Sequence, residues 1–232
     1  MYHKISDDGV SDGLTVPSAQ LEAHFHFLKR EGYTPILLSD LLAFLEKGTV
    51  LPEKPVLITF DDGYKDNYTV MYPLLEQYEM KANIFLVARF VEKAGQKDFE
   101  QYMSVNDLKA MDGALVEYGL HSLEHQSYKT LTPKQLTTDI EQTKALLTEL
   151  GIDWKPCVAF PYGAYPKKDH SKLSDFFETL RFNNISLAFR IGNRLNPLPL
   201  RNPLLIQRLD IRGDETFAKF TSLLKKGKSL FA

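Results

Sequence analysis

Apolar and polar positions alternate along the chain in a repeated order of strand and then helix. Short apolar runs at Pro55–Phe60, Ala82–Val87 and Val116–Leu120 are typical of buried strands. Between such runs, apolar residues recur at helical spacing, as in the helix that begins at Thr132 and stops at Gly151. This alternation favours a parallel sheet that is either doubly wound or closed into a barrel.

The pattern predicts about seven strands, nearly all of them followed by a helix. The strands are expected at Thr34–Leu38, Pro55–Phe60, Ala82–Val87, Val116–Leu120, Cys157–Phe160, Ser186–Phe189 and Leu205–Arg208. The helices are expected after Val16-Pro17-Ser18, from Ser39 to Gly48, within Asn67–Tyr78, over Val105–Met111, from Thr132 to Gly151, over Leu173–Phe182 and from Asp214 to Leu224. No linker, repeat or low-complexity stretch divides the chain, so we expect one domain over residues 1–232.

Composition narrows the class of protein further. With 232 residues, 44% apolar and 25% charged, the chain is an ordinary globular protein, and disorder, collagen and coiled coil are excluded. No apolar run approaches the ~18 residues that a membrane span needs, and the first residues form no signal peptide. A net charge of −2 argues against nucleic acid as a partner. Cys157 is the single cysteine, which rules out an internal disulfide and a multi-cysteine zinc site.

Three polar clusters each come directly after a predicted strand. They are Asp61-Asp62-Gly63, His121-Ser122-Leu123-Glu124-His125 and Pro161-Tyr162-Gly163. Because the carboxyl ends of parallel strands meet at one rim, where α/β enzymes place their active sites, we expect the clusters to converge.

Adjacent carboxylates and a pair of histidines at this rim suggest a metal site. Asp61, Asp62, His121 and His125 are enough for a His₂-carboxylate site in which one carboxylate stays free as a base. Taken singly, Asp-Asp-Gly is typical of a turn, and two histidines four apart are often a surface pair. Their shared placement at strand ends favours the metal site.

These residues, preceded by Thr59-Phe60 in the first cluster and by Phe160 in the third, resemble the first three motifs of the polysaccharide deacetylases. These proteins are the NodB-homology domains of carbohydrate esterase family four. The resemblance extends over roughly residues 1–212 and implies a distorted (β/α)₇ barrel. It also implies a hydrolase that removes N-acetyl groups from the N-acetylhexosamine units of a polysaccharide.

The resemblance also assigns roles at the site. Asp61 corresponds to the general base, and Asp62 corresponds to a metal ligand together with His121 and His125. The metal in this family is usually zinc and sometimes cobalt, nickel or manganese. A metal of this kind polarises a carbonyl and lowers the pKa of water.

The third cluster corresponds to the part of the site that stabilises the oxyanion. The resemblance implies that the backbone N–H of Tyr162, between Pro161 and Gly163, donates to the tetrahedral oxyanion. Exposed aromatic residues at the rim would stack on sugar rings, and the candidates are Tyr64, Tyr68 and Tyr165.

Two departures from the family pattern point to one subgroup. Ala159 stands where the family has an arginine that orients the base, and no Leu-X-X-His motif follows His170. Both losses resemble the deacetylases of poly-β-1,6-N-acetylglucosamine, which use an early Met-Tyr-His motif. The resemblance then implies His3 as the general acid. Arg208 is a candidate for the orienting charge, and an ordinary salt bridge at the edge of the core is the alternative.

The subgroup also bears on where the protein acts. In it, a strand precedes Met-Tyr-His and an export signal or lipid anchor precedes that strand. We therefore expect Met1 to be an internal residue of an exported, cell-surface protein, whereas a true start at Met1 would leave the protein in the cytoplasm.

Three alternatives stay open from the sequence. The pattern from His121 to His125 also fits the H-x-x-E-H motif of inverted zincins, which requires a helix with Glu124 as the base. A catalytically silent carbohydrate-binding relative is a second alternative. A deacetylase of chitin oligomers, peptidoglycan or acetylated xylan is the third.

Overall fold

Ten strands and eight α-helices make up the fold, and the computed structural model describes residues 1–227. The strands are β1 (Lys4–Ser6), β2 (Thr15–Pro17), β3 (Thr34–Pro35), β4 (Pro55–Val56), β5 (Thr59–Asp62), β6 (Ala82–Leu86), β7 (Val116–Leu120), β8 (Trp154–Ala159), β9 (Leu187–Ile191) and β10 (Ile206–Arg208). The helices are α1 (Ser18–Arg30), α2 (Leu38–Lys47), α3 (Tyr72–Tyr78), α4 (Ala88–Lys93), α5 (Val105–Ala110), α6 (Pro133–Glu149), α7 (His170–Phe182) and α8 (Phe217–Lys226).

Six of these strands, β5 to β10, form one parallel sheet in chain order. The sheet curls into a half-barrel with helices packed around it, so the expected class of distorted (β/α) barrel, as a single domain, is confirmed. The central strands β6 and β7 are buried along their whole length, as is usual for a parallel sheet.

The membership of the barrel differs from the seven predicted strands. The strand expected over Thr34–Leu38 is cut to two residues, because Leu38 already begins α2, and β3 pairs only with β4 outside the barrel. The run Pro55–Phe60 is broken between β4 and β5. Asp61 and Asp62 pair with Phe85 and Leu86 of β6, so they are the last two residues of β5 rather than a turn after it.

The first two residues occupy the position between the edge strands of the half-barrel. Tyr2 donates to Thr59 O (2.8 Å) and accepts from Asp61 N (3.0 Å) on the β5 side. Met1 donates to Leu209 O (2.8 Å) and accepts from Ile211 N (3.1 Å) on the side that follows β10. This segment links the two edges and brings His3 to the carboxyl end of β5.

The starts of α5 and α6 were predicted correctly from their capping residues. Ser104 caps α5 with Asp107, and Thr132 caps α6 with Gln135, each in a capping box. The last helix begins at Phe217 with Thr216 as its cap, and not at Asp214 as predicted. The Asp214 carboxylate accepts instead from the guanidinium of Arg212 (2.7 and 2.9 Å).

Among residues 1–227, none of the helices combines the length and the apolar character that crossing a membrane requires.

Asn83 in β6 joins three segments at the base of the barrel. Its side chain is fully buried, and Nδ2 donates to the carbonyls of Ile36 and Ile58 (3.2 Å each). Its Oδ1 accepts from Leu38 N (2.8 Å) at the start of α2. Buried backbone groups need such partners, since an unpaired group in the interior is costly.

We predict that Asn83→Ala lowers the free energy of unfolding by about 2–3 kcal/mol, because it leaves buried backbone groups unpaired. Urea unfolding followed by circular dichroism measures the change. Asn106→Ala on the exposed face of α5 is the control, with an expected change within about 0.5 kcal/mol. Equal effects of the two substitutions would contradict the structural role of Asn83.

Candidate active site

The predicted site residues meet at the carboxyl-end rim of the barrel. Asp61 and Asp62 end β5, His121 directly follows β7, and Pro161 comes two residues after the end of β8. His121 N donates to Leu86 O (2.8 Å), which extends the pairing of β6 with β7 into the site. The convergence expected from strand-end placement is therefore observed.

Asp62, His121 and His125 form one cluster of potential metal ligands. Their nearest ligand atoms lie within 4.8 Å of one another. Asp62 Oδ1 is 3.3 Å from His121 Nε2 and 3.2 Å from His125 Nε2. Asp62 and His121 are buried and His125 is partly exposed, so the cluster opens to solvent on one side.

The hydrogen bonds around His121 show that this cluster fits a cation. His121 Nδ1 is 2.8 Å from the carbonyl oxygen of Ala159, which only accepts, so Nδ1 carries the proton and Nε2 presents a lone pair. This lone pair faces Asp62 Oδ1, which is buried and has no hydrogen-bond partner in residues 1–227. Two acceptors that face each other at 3.3 Å require a positive charge between them.

The pKa of His121 also indicates that this site favours a positive charge. Burial lowers the pKa of the His121 imidazole, but the Asp61 and Asp62 carboxylates outweigh burial and raise it. A proton or a divalent metal satisfies the site, and zinc prefers this set of two imidazoles and one carboxylate.

Arg208 holds Asp61 in a buried bidentate ion pair. Nη1 donates to Oδ1 and Nη2 to Oδ2, each over 2.6 Å, and both side chains are almost fully buried. The guanidinium also lies over the Phe85 ring, 5.3 Å from its centroid. The fork fixes the plane of the carboxylate, as such paired hydrogen bonds do.

This ion pair decides the charge of Asp61. Burial raises the pKa of the Asp61 carboxyl, but the charge and hydrogen bonds of the Arg208 guanidinium outweigh burial and hold the pKa well below its ordinary value. Asp61 is therefore ionised at neutral pH. It lies 3.9 Å from His121 Nε2, beside the metal-ligand cluster and not within it.

His3 is held at the same rim by its backbone. Its carbonyl accepts from Asn67 Nδ2 (2.8 Å), and Asn67 is fully buried. Burial lowers the pKa of the His3 imidazole, while the nearby Asp61 and Asp62 carboxylates oppose that shift. The protonated ring is thus a stronger acid than a solvated histidine. Its catalytic role stays a prediction.

The turn Pro161–Gly163 brings Tyr162 next to His125. The Tyr162 side chain is 67% exposed, and its hydroxyl is 3.1 Å from His125 Nδ1. The Tyr162 amide lies in the first turn of a short 3₁₀ helix, where backbone N–H groups lack intrahelical partners. Gly163 has φ +61°, and a Cβ there would lie 2.9 Å from Ile191 N, so this turn requires glycine.

Backbone strain is concentrated in the three clusters. Four non-glycine residues of the site have left-handed φ angles, and they are Asp62 (73°), Ser122 (69°), His125 (59°) and Tyr162 (59°). Such angles are uncommon outside glycine and are maintained only where the surroundings impose them. This strain aims the side chains of the site.

Asp139 is a positioning residue that the sequence analysis missed. It lies on α6, is 2% exposed, and its carboxylate accepts from Leu123 N (3.1 Å), Gln126 Nε2 (3.2 Å) and Tyr128 Oη (2.8 Å). These bonds hold the loop that carries both histidines. An acidic residue on the buried face of α6, between Leu136 and Ile140, is the sequence signal that could have revealed it.

Aromatic side chains line the other side of the site. Phe90 lies 6.3 Å from His125 and 4.3 Å from Tyr102, and Tyr64 stacks on Tyr102 at 5.2 Å, all between ring centroids. Of the three aromatic residues proposed from the sequence, Tyr64 is therefore at the rim. Tyr165 is 7% exposed and packs against Phe160 and Phe176, but its remaining surface lines a neighbouring cavity, so its stacking on sugars stays a prediction.

The inverted zincin interpretation is wrong. Residues 121–125 form no helix, and Ser122 and His125 have left-handed φ angles. Glu124 is exposed and its carboxylate lies 3.6 Å from Arg89 Nε. It is therefore not held at the ligand cluster as the base that this motif requires.

Comparison with known proteins places the sequence in a family. Residues 48–176 match the family model described as polysaccharide deacetylase, which is more than half of the chain. The chain is 32% identical to YxkH of Bacillus subtilis over 165 residues, 71% of this chain and 56% of that protein. It is 27% identical over 160 residues to the poly-beta-1,6-N-acetyl-D-glucosamine N-deacetylase of Staphylococcus aureus (strain N315), 64% of this chain and 54% of the relative. The chain thus spans little more than half the length of either relative.

The fold is also that of a solved deacetylase. The structure of the deacetylase PplD of Streptococcus pyogenes in complex with acetate superposes with a TM-score of 0.80 and 21% sequence identity. The match covers 99% of this chain and 96% of PplD. At this level of identity the likeness concerns the fold.

We predict that Asp139→Ala weakens metal affinity by about 10- to 100-fold, because the loop that holds His121 and His125 loses its anchor. Titration of the apoprotein with zinc against a chromophoric chelator measures the affinity. Glu141→Ala on the exposed side of the same helix is the matched control and should leave the affinity unchanged. An unchanged affinity in Asp139→Ala would show that the loop does not depend on this carboxylate.

Proposed function

The chain belongs to the polysaccharide deacetylase family, and from this membership we propose that it is a metal-dependent N-deacetylase of polymers that contain N-acetylglucosamine. One observation carries the proposal. The ligand cluster of Asp62, His121 and His125 lies beside a separate, ionised carboxylate, Asp61, which Arg208 clamps. Sugar binding alone does not need a free base next to a metal site, and this argues against a catalytically silent relative.

The roles of the two carboxylates follow from their surroundings. Asp62, with His121 and His125, would hold the metal, which polarises the acetyl carbonyl and makes the attacking water acidic enough for a weak base to deprotonate. Asp61 is such a weak base, because the Arg208 charge keeps its pKa low. Asp61 takes the proton of the water, and Arg208 keeps the carboxylate oriented for that transfer.

The remaining groups act on the tetrahedral intermediate. The Tyr162 amide N–H, aimed by the turn Pro161–Gly163, donates to the oxyanion that forms from the acetyl carbonyl. His3 protonates the leaving amine nitrogen when the C–N bond breaks, and acetate and a free amine leave the site.

We propose the β-1,6-linked polymer as the first candidate substrate. The named relative from Staphylococcus aureus supports it. The position of the orienting arginine supports it too, since Ala159 replaces the arginine of the wider family and Arg208 on β10 holds Asp61 instead. Chitin oligomers, peptidoglycan and acetylated xylan are the alternatives. Because such polymers lie outside the cytoplasm, the same proposal places the working enzyme at the cell surface.

Acetate release from defined oligomers tests the proposed function. The zinc-loaded protein is incubated with N-acetylglucosamine oligomers of β-1,6 and β-1,4 linkage and with acetylated xylan oligomers, each with and without chelator. We expect acetate from the β-1,6 oligomers, loss of activity with chelator, and recovery when zinc is added. Chelator-resistant activity would contradict the metal dependence. Absence of acetate from every oligomer would contradict the proposed deacetylase activity.

We predict that Asp61→Asn lowers kcat by about 10²–10⁴-fold while the protein still binds metal, because the amide cannot accept the proton of the water. Asp62→Asn is the matched comparison, since it should lose the metal. Metal content after dialysis, measured beside acetate release, separates the two effects. If Asp61→Asn releases the metal instead, the two roles are reversed.

We predict that His3→Ala lowers kcat by roughly 10²–10⁴-fold with metal affinity unchanged, because the leaving amine loses its proton donor. His26→Ala, on the exposed side of α1, is the control and should retain full activity. The same kcat in both variants would remove His3 from the mechanism.

A further inference from the structure

A cavity of about 800 Å³ opens beside the candidate site, on the far side of Tyr162. Its walls are the loop after the histidine cluster, the segment that follows the Pro161–Gly163 turn, and Arg190 with Ile191 at the end of β9. All three come from the carboxyl ends of barrel strands. Because Tyr162 lines the cavity and contacts His125, a sugar next to the one being deacetylated can reach it.

The charge of this cavity is opposite to that of the whole chain. Five basic and two acidic residues line it, a formal excess of three positive charges, whereas the chain carries −2. The basic residues are Lys129, Lys167, Lys168, Lys172 and Arg190. Clustered charge of one sign in a concave site concentrates ligands of the other sign.

Most of this positive charge has no carboxylate partner. Asp169 caps α7 and pairs with Lys172, 3.5 Å from its Nζ, so these two charges compensate each other. Within residues 1–227, Lys129, Lys167 and Lys168 form no salt bridge.

Arg190 adds a further positive charge at the wall of the cavity. It is partly buried, and its guanidinium donates to two neutral acceptors, Tyr165 Oη (2.8 Å) and Gln207 Oε1 (3.1 Å). In the described part of the chain it contacts no carboxylate. These bonds orient the guanidinium without neutralising it, and partly buried charges are usually paired.

We propose that this cavity binds an acidic group carried by the sugar next to the N-acetylated unit, so that the preferred substrate is an anionic glycan. The proposal rests on the deacetylase function and adds to it a preference for an acidic neighbouring unit, whatever the linkage. Carboxylate and phosphate share the chemistry that lysine and arginine recognise.

The reaction itself gives a second reason for this preference. Each deacetylation turns a neutral acetamide into an amine that is protonated at neutral pH. A neighbouring sugar that already carries an ammonium group is repelled by the lysines of the cavity. An acidic substituent has the opposite effect, so the cavity favours acidic units and disfavours deacetylated ones.

A matched set of oligomers tests the proposal. N-acetylglucosamine oligomers of one length and linkage are compared with the same oligomers bearing carboxymethyl ethers, and with oligomers bearing phosphate esters at the same hydroxyls. The ratio of kcat/KM for acidic over neutral oligomer is measured for the wild type, for Lys167→Gln/Lys168→Gln, and for the control Lys47→Gln/Lys219→Gln. All four lysines are exposed, so both variants should fold.

We expect the wild type to prefer an acidic oligomer, and the ratio to fall by about threefold to tenfold in Lys167→Gln/Lys168→Gln but not in the control. The preference should also shrink between about 50 mM and 500 mM NaCl, because salt screens exposed charges. The carboxymethyl and phosphate arms show which anion is preferred. A wild-type ratio of one, or equal ratios in the two double variants, would overturn the proposal.

A binding arm separates this proposal from the proposed function. Fluorescence polarisation with labelled acidic and neutral oligomers is measured on the same proteins. Absence of acetate from every oligomer refutes the deacetylase activity. Tighter binding of the acidic oligomer that depends on Lys167 and Lys168 still supports the binding of an acidic group in the cavity. Equal binding of both oligomers refutes the proposed binding of an acidic group in the cavity, even if acetate is released.

Discussion

Two adjacent carboxylates buried at the end of one strand set the terms for the rest of the site. Asp61 and Asp62 are 2% and 7% exposed, and two neighbouring negative charges cannot both be removed from water without compensation. Two separate sources of positive charge compensate them. Arg208 from β10 neutralises Asp61, and Nε2 of His121 and Nε2 of His125 lie 3.3 and 3.2 Å from Asp62 Oδ1, where a cation fits.

This division gives the two carboxylates different chemistry from nearly the same position in sequence. Asp61 is ionised, oriented and outside the ligand cluster, which suits a base. Asp62 Oδ1 has no hydrogen-bond partner among residues 1–227 and lies within 3.3 Å of two imidazole nitrogens, which suits a metal ligand. The barrel serves this arrangement, since its parallel strands deliver Asp61, His121 and Arg208 to one rim. Asp139 and the left-handed backbone angles then hold the loops in place.

The sequence predicted the parts of the structure that depend on short-range pattern. Buried runs such as Val116–Leu120 and capped helix starts such as Thr132 were located closely, and strand-end placement correctly brought Asp62 and His121 together. The barrel and the individual roles came from the resemblance to the family. The pairing of Met1–Tyr2 between the barrel edges was not predictable, because two residues carry no periodic signal.

Other features escaped prediction because they are tertiary. Left-handed angles at Asp62 and Tyr162 contradict local preference and are imposed by the surrounding fold. The contact between Arg208 and Asp61 joins residues 147 positions apart, so the sequence marked Arg208 only as a candidate. The anchor at Asp139 showed itself only as one acidic residue on an apolar helix face.

Anomalous diffraction at the zinc edge, from crystals of the zinc-loaded protein, shows which of the two carboxylates binds the metal. We expect one strong peak about 2.0–2.2 Å from an Asp62 carboxylate oxygen and from Nε2 of both His121 and His125. We also expect Asp61 to remain paired with Arg208 and outside the coordination shell. A metal bound by Asp61, or a peak only elsewhere on the protein, would contradict the separation of base and metal ligand at this site.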